Sequence, residues 1–143
     1  MRIPSLLTAC VLWAGVGASV YAAGAGITGQ PAHEPASSHI PILEITDAAV
    51  YPNPFNPFSE NTTIEFCLTL AAELEITVYD WTGEYVDTVF KGSGVADVNT
   101  VLWGGQTEDG RKLGNGVYLI RVVASTQART ESTVLKVAVW NDG

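Results

Sequence analysis

The sequence divides at Tyr51-Pro52-Asn53-Pro54-Phe55-Asn56-Pro57. Its prolines remove backbone donors and hold φ near about −65°. Each proline also pushes the residue before it towards extended backbone. Such a stretch forms neither a helix nor an interior strand, and its two asparagines can bond nearby backbone in turns. We therefore interpret residues 51–57 as a stiff segment that leads into a folded domain.

Hydrophobic and polar residues alternate after this segment, and turn residues interrupt the alternation about every ten residues, which is typical of an all-β sandwich. We predict a seven-stranded antiparallel sandwich of the immunoglobulin or fibronectin type. An edge piece at 49–51 precedes strands at 61–70, 73–81, 85–90, 97–103, 117–124 and 131–140. Gly92-Ser93-Gly94 is read as a turn after the third of these, and residues 104–116 as a turn-rich connection.

The alternation also predicts which side chains face the core. In 61–70 it places Thr63, Glu65, Cys67 and Thr69 on the polar face, opposite Ile64, Phe66, Leu68 and Leu70. In 73–81 it places Leu74, Ile76 and Val78 on one face and Glu73, Glu75, Thr77 and Tyr79 on the other. The strand at 117–124 is the most apolar and should be central, with Tyr118, Ile120, Val122 and Ala124 on one face and Arg121 on the other. We expect the Tyr118 hydroxyl near its start to bond to backbone, as in a tyrosine corner.

Composition limits the classes of function. The chain has 143 residues, of which 47% are hydrophobic, and its net charge is −8. That length and apolar content fit one folded domain with a substantial core. A negative surface repels phosphate, so we expect no binding to nucleic acid or to anionic membrane surfaces.

Residues 1–25 are typical of a secretory signal peptide. Arg2 supplies the positive start, residues 6–20 are apolar or small, and small residues allow cleavage after Ala22 or after Ala25. A signal anchor is disfavoured because the apolar run is short for a membrane span of about 20 residues. A lipoprotein signal at Cys10 is disfavoured because most of the apolar run follows that cysteine.

Residues 26–46 have the composition of a flexible linker, and 47–141 are assigned to the sandwich domain. The linker holds both histidines, His33 and His39. A metal site needs further ligands on a rigid frame, so we expect no metal and no cofactor there.

Four motifs occur in one order: VYPNPFNP at 50–57, TIEF at 63–66, VYDWTG at 78–83 and GNGVY at 114–118. Together they resemble the immunoglobulin-like domain named after the C-terminal part of the flagellar hook-capping protein FlgD. They are also similar to the C-terminal sorting domain of the type IX secretion system. The resemblance covers about residues 48–140 and implies a seven-stranded sandwich of exported bacterial proteins. This chain has Trp103-Gly104-Gly105 where the family commonly has Trp-Asp-Gly.

Candidate chemical groups are few. Glu65, Glu73 and Glu75 are interpreted as charges on solvated strand faces rather than a catalytic acid pair. Cys67 lacks a neighbour that would activate it. Glu108 and Asp109 could supply oxygen ligands to calcium, although the loop lacks the spacing of a known calcium loop. We expect no catalytic, cofactor-binding or metal-binding residues, and no enzyme activity.

We expect an exported, non-catalytic module for surface attachment, assembly or protein interaction, with other exported or surface proteins as partners. After signal cleavage it should lie outside the inner membrane, secreted or at the cell surface, and not as an integral membrane protein. One alternative is a type IX sorting domain separated from its cargo. Another is a carbohydrate-binding module that uses exposed aromatic residues, with Trp81 and Trp140 as candidates and Trp103 expected in the core.

Overall fold

The structure is a computed structural model and describes residues 40–142. Seven strands occur in this part of the chain, and no helix does, so none that could cross a membrane is present there. The strands are β1 (Ile45–Tyr51), β2 (Thr62–Leu68), β3 (Ala72–Asp80), β4 (Tyr85–Gly94), β5 (Asp97–Trp103), β6 (Gly116–Ser125) and β7 (Thr130–Val139). The predicted all-β class and strand count are confirmed.

The strands form two antiparallel sheets. The three-stranded sheet has the order β1-β2-β5, and the four-stranded sheet the order β4-β3-β6-β7. Apolar side chains from both inner faces make one core, as in immunoglobulin-like sandwiches. Its most deeply buried members include Phe66, Ile64, Ile76, Val78, Ile120 and Val122.

The predicted inward faces are confirmed on the central strands. In β6, Ile120, Val122 and Ala124 are buried while Arg121 is exposed. The apolar character of β6 follows from its position between β3 and β7, where only one face and no edge can meet solvent.

The predicted turn at Gly92-Ser93-Gly94 is wrong, because β4 continues through all three residues. Gly94 pairs with Ala72, and Gly92 with Leu74. A Cβ on Gly94 would lie only 2.5 Å from Leu74 Cδ1. The glycine is therefore a strand residue that gives the buried Leu74 side chain its space.

The polar face predicted for β2 is also wrong in part, because Glu65 is 4% exposed and Cys67 is 3% exposed. Both occupy the face opposite Ile64 and Phe66, as the alternation predicts. However, β2 is the middle strand of its sheet, and the Tyr51 hydroxyl of β1 donates to Glu65 Oε2 at 3.2 Å.

The compact unit begins at Leu43, before the boundary that we placed at residue 47. Leu43 is buried in the core, and β1 starts at Ile45 rather than at residue 49. The signal-peptide region and most of the linker, including Cys10, Ala22, Ala25, His33 and His39, lie outside the described residues.

The proline segment at 51–57 covers part of the outer edge of β7. The Asn53 side chain accepts a hydrogen bond from Ala138 N at 2.9 Å and donates one to Lys136 O at 3.0 Å. Phe55 N then donates to Ala138 O, and Trp140 N donates to Phe55 O. These bonds satisfy edge groups that would otherwise be open to a further strand.

Phe55 anchors the segment in the core. Its ring is buried and lies 5.9 Å from the ring of Trp103. Gly105, two residues after Trp103, has φ +72°, and a Cβ there would lie 2.7 Å from Pro57 Cβ and 2.8 Å from Phe55 Cζ. Glycine at this position permits both the backbone conformation and the close approach of the two segments.

Replacing Asn53 with Ala should destabilise the domain by about 1–3 kcal/mol, since two hydrogen bonds to β7 are lost. Urea unfolding followed by tryptophan fluorescence measures this free energy. Asn61→Ala is the matched control, because Asn61 is exposed at the same end of the domain and its side-chain amide makes no hydrogen bond within the described residues. Equal stabilities for the two variants would contradict the proposed role of Asn53.

The predicted tyrosine corner is present. The Tyr118 hydroxyl donates to Gly114 O at 2.9 Å, close to the start of β6. Burial, and then the nearby Asp80 carboxylate, raise the pKa of Tyr118 above its usual value. The folded state therefore favours the neutral, hydrogen-bonding phenol.

Tyr118→Phe should cost about 1 kcal/mol of unfolding free energy, because one hydrogen bond is lost and the ring is kept. Tyr79→Phe is the control, since no hydrogen bond is found for its hydroxyl in the described part of the chain.

The unfolding free energy should also depend on pH through Tyr118. Because the folded pKa of Tyr118 is raised, its stabilising contribution is complete below the unfolded pKa near 10 and is lost as pH rises through the folded value. The pKa of Tyr51 is also raised, by burial and then Glu65, and acts with the same sign. Unfolding free energies measured across the alkaline range should fall less steeply for Tyr118→Phe than for the parent. Identical slopes would contradict the assignment.

Candidate interaction surface

The carboxylates that the sequence offered for acid–base chemistry are not brought together. Glu65 lies on the three-stranded sheet, whereas Glu73 and Glu75 lie on the four-stranded sheet. Glu73 accepts a hydrogen bond from Ser93, and Glu75 pairs with Lys91 at 3.8 Å. Within residues 40–142, no three His, Cys, Asp or Glu side chains converge on a possible metal position.

The loop considered for calcium is braced by protein contacts. Asp109 Oδ1 accepts from Thr107 Oγ1, and Oδ2 lies 3.3 Å from Arg111 Nε. Those contacts, the Thr107 bond first, lower the pKa of Asp109. Lys112 Nζ donates to the carbonyl of Gly104, the position where the family commonly has aspartate. Polar bracing of this loop therefore comes from its backbone and from side chains other than the missing aspartate.

Aromatic and aliphatic residues occupy the outer face of the four-stranded sheet at the end where β3 and β7 finish. In the strand register, Tyr79 pairs with Tyr85 on one side and with Leu119 on the other, and Val117 is two residues from Leu119 on the same face. Trp81 directly follows Asp80, the last residue of β3, and Trp140 directly follows Val139, the last residue of β7. We call this surface the aromatic face; it consists of Tyr79, Trp81, Tyr85, Val117, Leu119 and Trp140.

The large side chains at the margins of the aromatic face are open to solvent. Trp81 is 75% exposed, Trp140 is 61% exposed and Tyr85 is 47% exposed. Tyr79 and Tyr85 meet edge to face, with ring centroids 6.4 Å apart. Clustered exposed apolar side chains of this kind mark interaction sites more often than scattered ones do.

The turn that carries Trp81 is rigidly built. Asp80 Oδ1 accepts three hydrogen bonds, from Thr82 N at 2.8 Å, Thr82 Oγ1 at 2.6 Å and Glu84 N at 2.9 Å. The Thr82 side-chain bond is the largest cause of a lowered pKa for Asp80. Gly83 has φ +95°, which closes the turn without strain.

Trp140 is fixed from both sides. Val139, before it, is buried and pairs with Gly116. Asn141, after it, donates its backbone N–H to Asn115 Oδ1 at 2.7 Å, and Asn115 Nδ2 donates to Asn141 O. Since Val139 points into the core, the alternation of an extended chain directs Trp140 to the outer face.

Trp103 lies inside, as predicted from the sequence. It is buried, and its Nε1 donates to Asp87 Oδ2 at 3.2 Å. Two of the three tryptophans weighed as binding residues are therefore on the surface, at one end of the same sheet. Sequence reasoning did not include Tyr79, Tyr85, Val117 and Leu119, although the alternation in 73–81 already placed Tyr79 on the polar face.

Asp80→Ala should lower the melting temperature at neutral pH, since three donors in the turn lose their acceptor. The pKa of Asp80 is lowered in the folded state, so its stabilising contribution is present above the unfolded value of 3.8 and is lost as pH falls through the folded value. The difference between parent and variant should therefore shrink in acid. Thermal unfolding over an acid-to-neutral pH series measures it.

Asp142→Ala removes the same charge near the same end of the sheet and serves as the control, because no hydrogen bond to its exposed side chain is found in the described residues. An Asp80 variant that melts like this control would refute the bracing of the turn.

The family model of the FlgD Ig-like domain matches residues 57–128, half of the chain. This chain belongs to the FlgD Ig-like domain family. No curated protein matches it.

Several solved structures are similar. Dimeric latent PorU from Porphyromonas gingivalis aligns with a TM-score of 0.55 and 22% identity, over 68% of this chain and 10% of PorU. FlgD from P. aeruginosa aligns with a TM-score of 0.51 and 16% identity, over 68% of this chain and 75% of that chain. PorZ, a surface component of the type-IX secretion system of P. gingivalis, aligns with a TM-score of 0.44 and 23% identity, over 66% of this chain and 12% of PorZ. At these identities the first two likenesses show the shared fold alone, and this chain spans only a tenth of PorU.

Proposed function

We propose that this chain is an exported, non-catalytic β-sandwich module that attaches to other molecules at the bacterial cell surface, with exported or surface proteins among its partners. The observation that carries the proposal is the aromatic face, where Trp81, Tyr85 and Trp140 stand exposed on a rigid sheet. Single exposed tryptophans are common on protein surfaces and need no explanation. A group of them fixed by hydrogen-bonded turns is typical of a binding surface.

The lack of catalytic character rests on the arrangement of the described residues. Their carboxylates are separated or paired with other side chains, and family membership supports a structural or binding role. The predicted signal over residues 1–25 supports export, and the sandwich that begins at Leu43 is the part proposed to bind.

Export can be tested on the full chain in a bacterial host. We expect a product processed after Ala22 or after Ala25 and located outside the inner membrane, measured by intact mass and by fractionation. Replacing both Ala22 and Ala25 with Gln should block cleavage, because the processing site requires small residues.

A product that stays in the cytoplasm at full mass would contradict the export proposal. A diacylglyceryl group on Cys10 would instead contradict cleavage after Ala22 or Ala25, because the chain would then be exported as a lipoprotein.

A second candidate function is a type IX sorting domain separated from its cargo. The four motifs shared with that domain favour it, as does their order in the sequence. Fusing residues 43–143, the whole compact unit, behind an exported reporter in a bacterium with a type IX system distinguishes the two candidate functions. Surface delivery that requires the fused domain supports sorting, while a reporter retained in the periplasm contradicts it.

A further inference from the structure

We propose that the aromatic face is a platform for an uncharged polysaccharide chain. This inference rests on the proposed attachment function and names the class of molecule that is bound. The sugar rings would stack their apolar C–H faces on Trp81 and Trp140 and lie across the floor formed by Val117 and Leu119.

The spacing of the two tryptophans suits a polymer. Trp81 directly follows the end of β3 and Trp140 the end of β7, and β6 lies between these two strands. The two strands are separated by two inter-strand spacings, about 10 Å. That distance is close to the length of two linked pyranose rings, so neighbouring units of one chain can reach both indoles.

The rigidity of the platform supports a binding role. The Asp80 carboxylate holds the turn under Trp81 with three hydrogen bonds. Trp140 N donates to Phe55 O at 2.9 Å, and the Asn115–Asn141 pair fixes the residue that follows. Because the backbone of both tryptophans is fixed before binding, little conformational entropy is lost when a ligand stacks on them.

Polar groups at the rim match sugar hydroxyls. Lys136 lies beside Leu119 in the register, and the amide of Asn141 and the side chain of Thr82 lie near the two tryptophans. The Lys136 ammonium can donate hydrogen bonds to sugar hydroxyls, and the side-chain oxygens of Asn141 and Thr82 can accept them. An open sheet face is accessible to the middle of a long chain as well as to its end.

The negative charge near the aromatic face favours an uncharged ligand. Asp80 precedes Trp81, Glu84 lies three residues after it and Asp142 lies two residues after Trp140. Lys136 and Arg121 are cations on the same outer face, but the whole chain carries a net charge of −8. Such a field repels sulfated, phosphorylated or strongly acidic polymers. Stacking on a neutral sugar makes no use of that field and should depend little on ionic strength.

The test uses the processed chain with three uncharged insoluble probes, cellulose, chitin and starch granules, and with heparin as the polyanion. We expect depletion of the protein by at least one uncharged probe at both low and high salt, and no binding to heparin. Soluble oligosaccharides of the probe that binds should change the tryptophan fluorescence.

Three variants locate the site. Trp81→Ala and Trp140→Ala should each weaken binding about tenfold, the loss expected for one well-placed aromatic contact, while Trp81→Tyr should retain most of it. Phe58→Ala is the matched control, because Phe58 is 66% exposed but lies outside the aromatic face, and it should bind like the parent. Thermal melting verifies that each variant is folded.

Binding that survives both tryptophan-to-alanine variants would overturn the platform, as would binding to heparin alone. Failure to bind any of the three uncharged probes would overturn it too. If the tryptophan variants instead abolish self-association in light scattering, or binding to a surface protein, the face is a protein interface and the glycan inference fails. In each of these cases a chain that is processed and exported leaves the proposed attachment function standing, whereas a chain retained in the cytoplasm refutes that function itself.

Discussion

The contact of Phe55 with Trp103 is the constraint on which the rest of this sandwich depends. One ring comes from the proline segment and the other from the end of β5, so the contact holds that segment against the core between the sheets. Phe55 can reach its position only because Gly105 leaves space beside it. With Phe55 buried, the Asn53 side chain lies against the edge of β7 and accepts a hydrogen bond from Ala138 N. The Phe55 carbonyl accepts a hydrogen bond from Trp140 N, which fixes the backbone of Trp140.

Much of the fold could be predicted because the physical signal is local. Alternation with period two identifies a half-buried strand whatever its partner, which is why the faces of β3 and β6 are as expected. The errors occur where burial depends on neighbours that the sequence does not name. Glu65 and Cys67 alternate as polar-face residues, yet β2 lies between β1 and β5 and both side chains are buried. Gly94 has the residue type of a turn, but it is a strand residue because the side chain of Leu74 occupies the space where its Cβ would lie.

The aromatic face could be predicted only in part, and for the same reason. The sequence identifies Trp81 and Trp140 as candidate exposed residues, and the alternation assigns each strand residue to one face of its sheet. However, the order of strands in the sheet decides whether Trp81 and Trp140 are close, and alternation contains no information on that order. The pairing of β3 with β6 and of β6 with β7 is the missing fact. It places two residues that are distant in sequence at one end of the same surface.

Two aromatic residues pack in the core and two tryptophans lie on the surface, and different contacts fix each of the surface tryptophans. Phe55 and Trp103 are buried, and their packing fixes the backbone on which Trp140 sits. Trp81 depends on a separate device, the Asp80 carboxylate in its turn. A change in the core should therefore move Trp140 and leave Trp81 in place, whereas a change at Asp80 should do the reverse. The two exposed tryptophans are therefore held by separate parts of the structure, Trp140 by the core and the proline segment and Trp81 by its own turn.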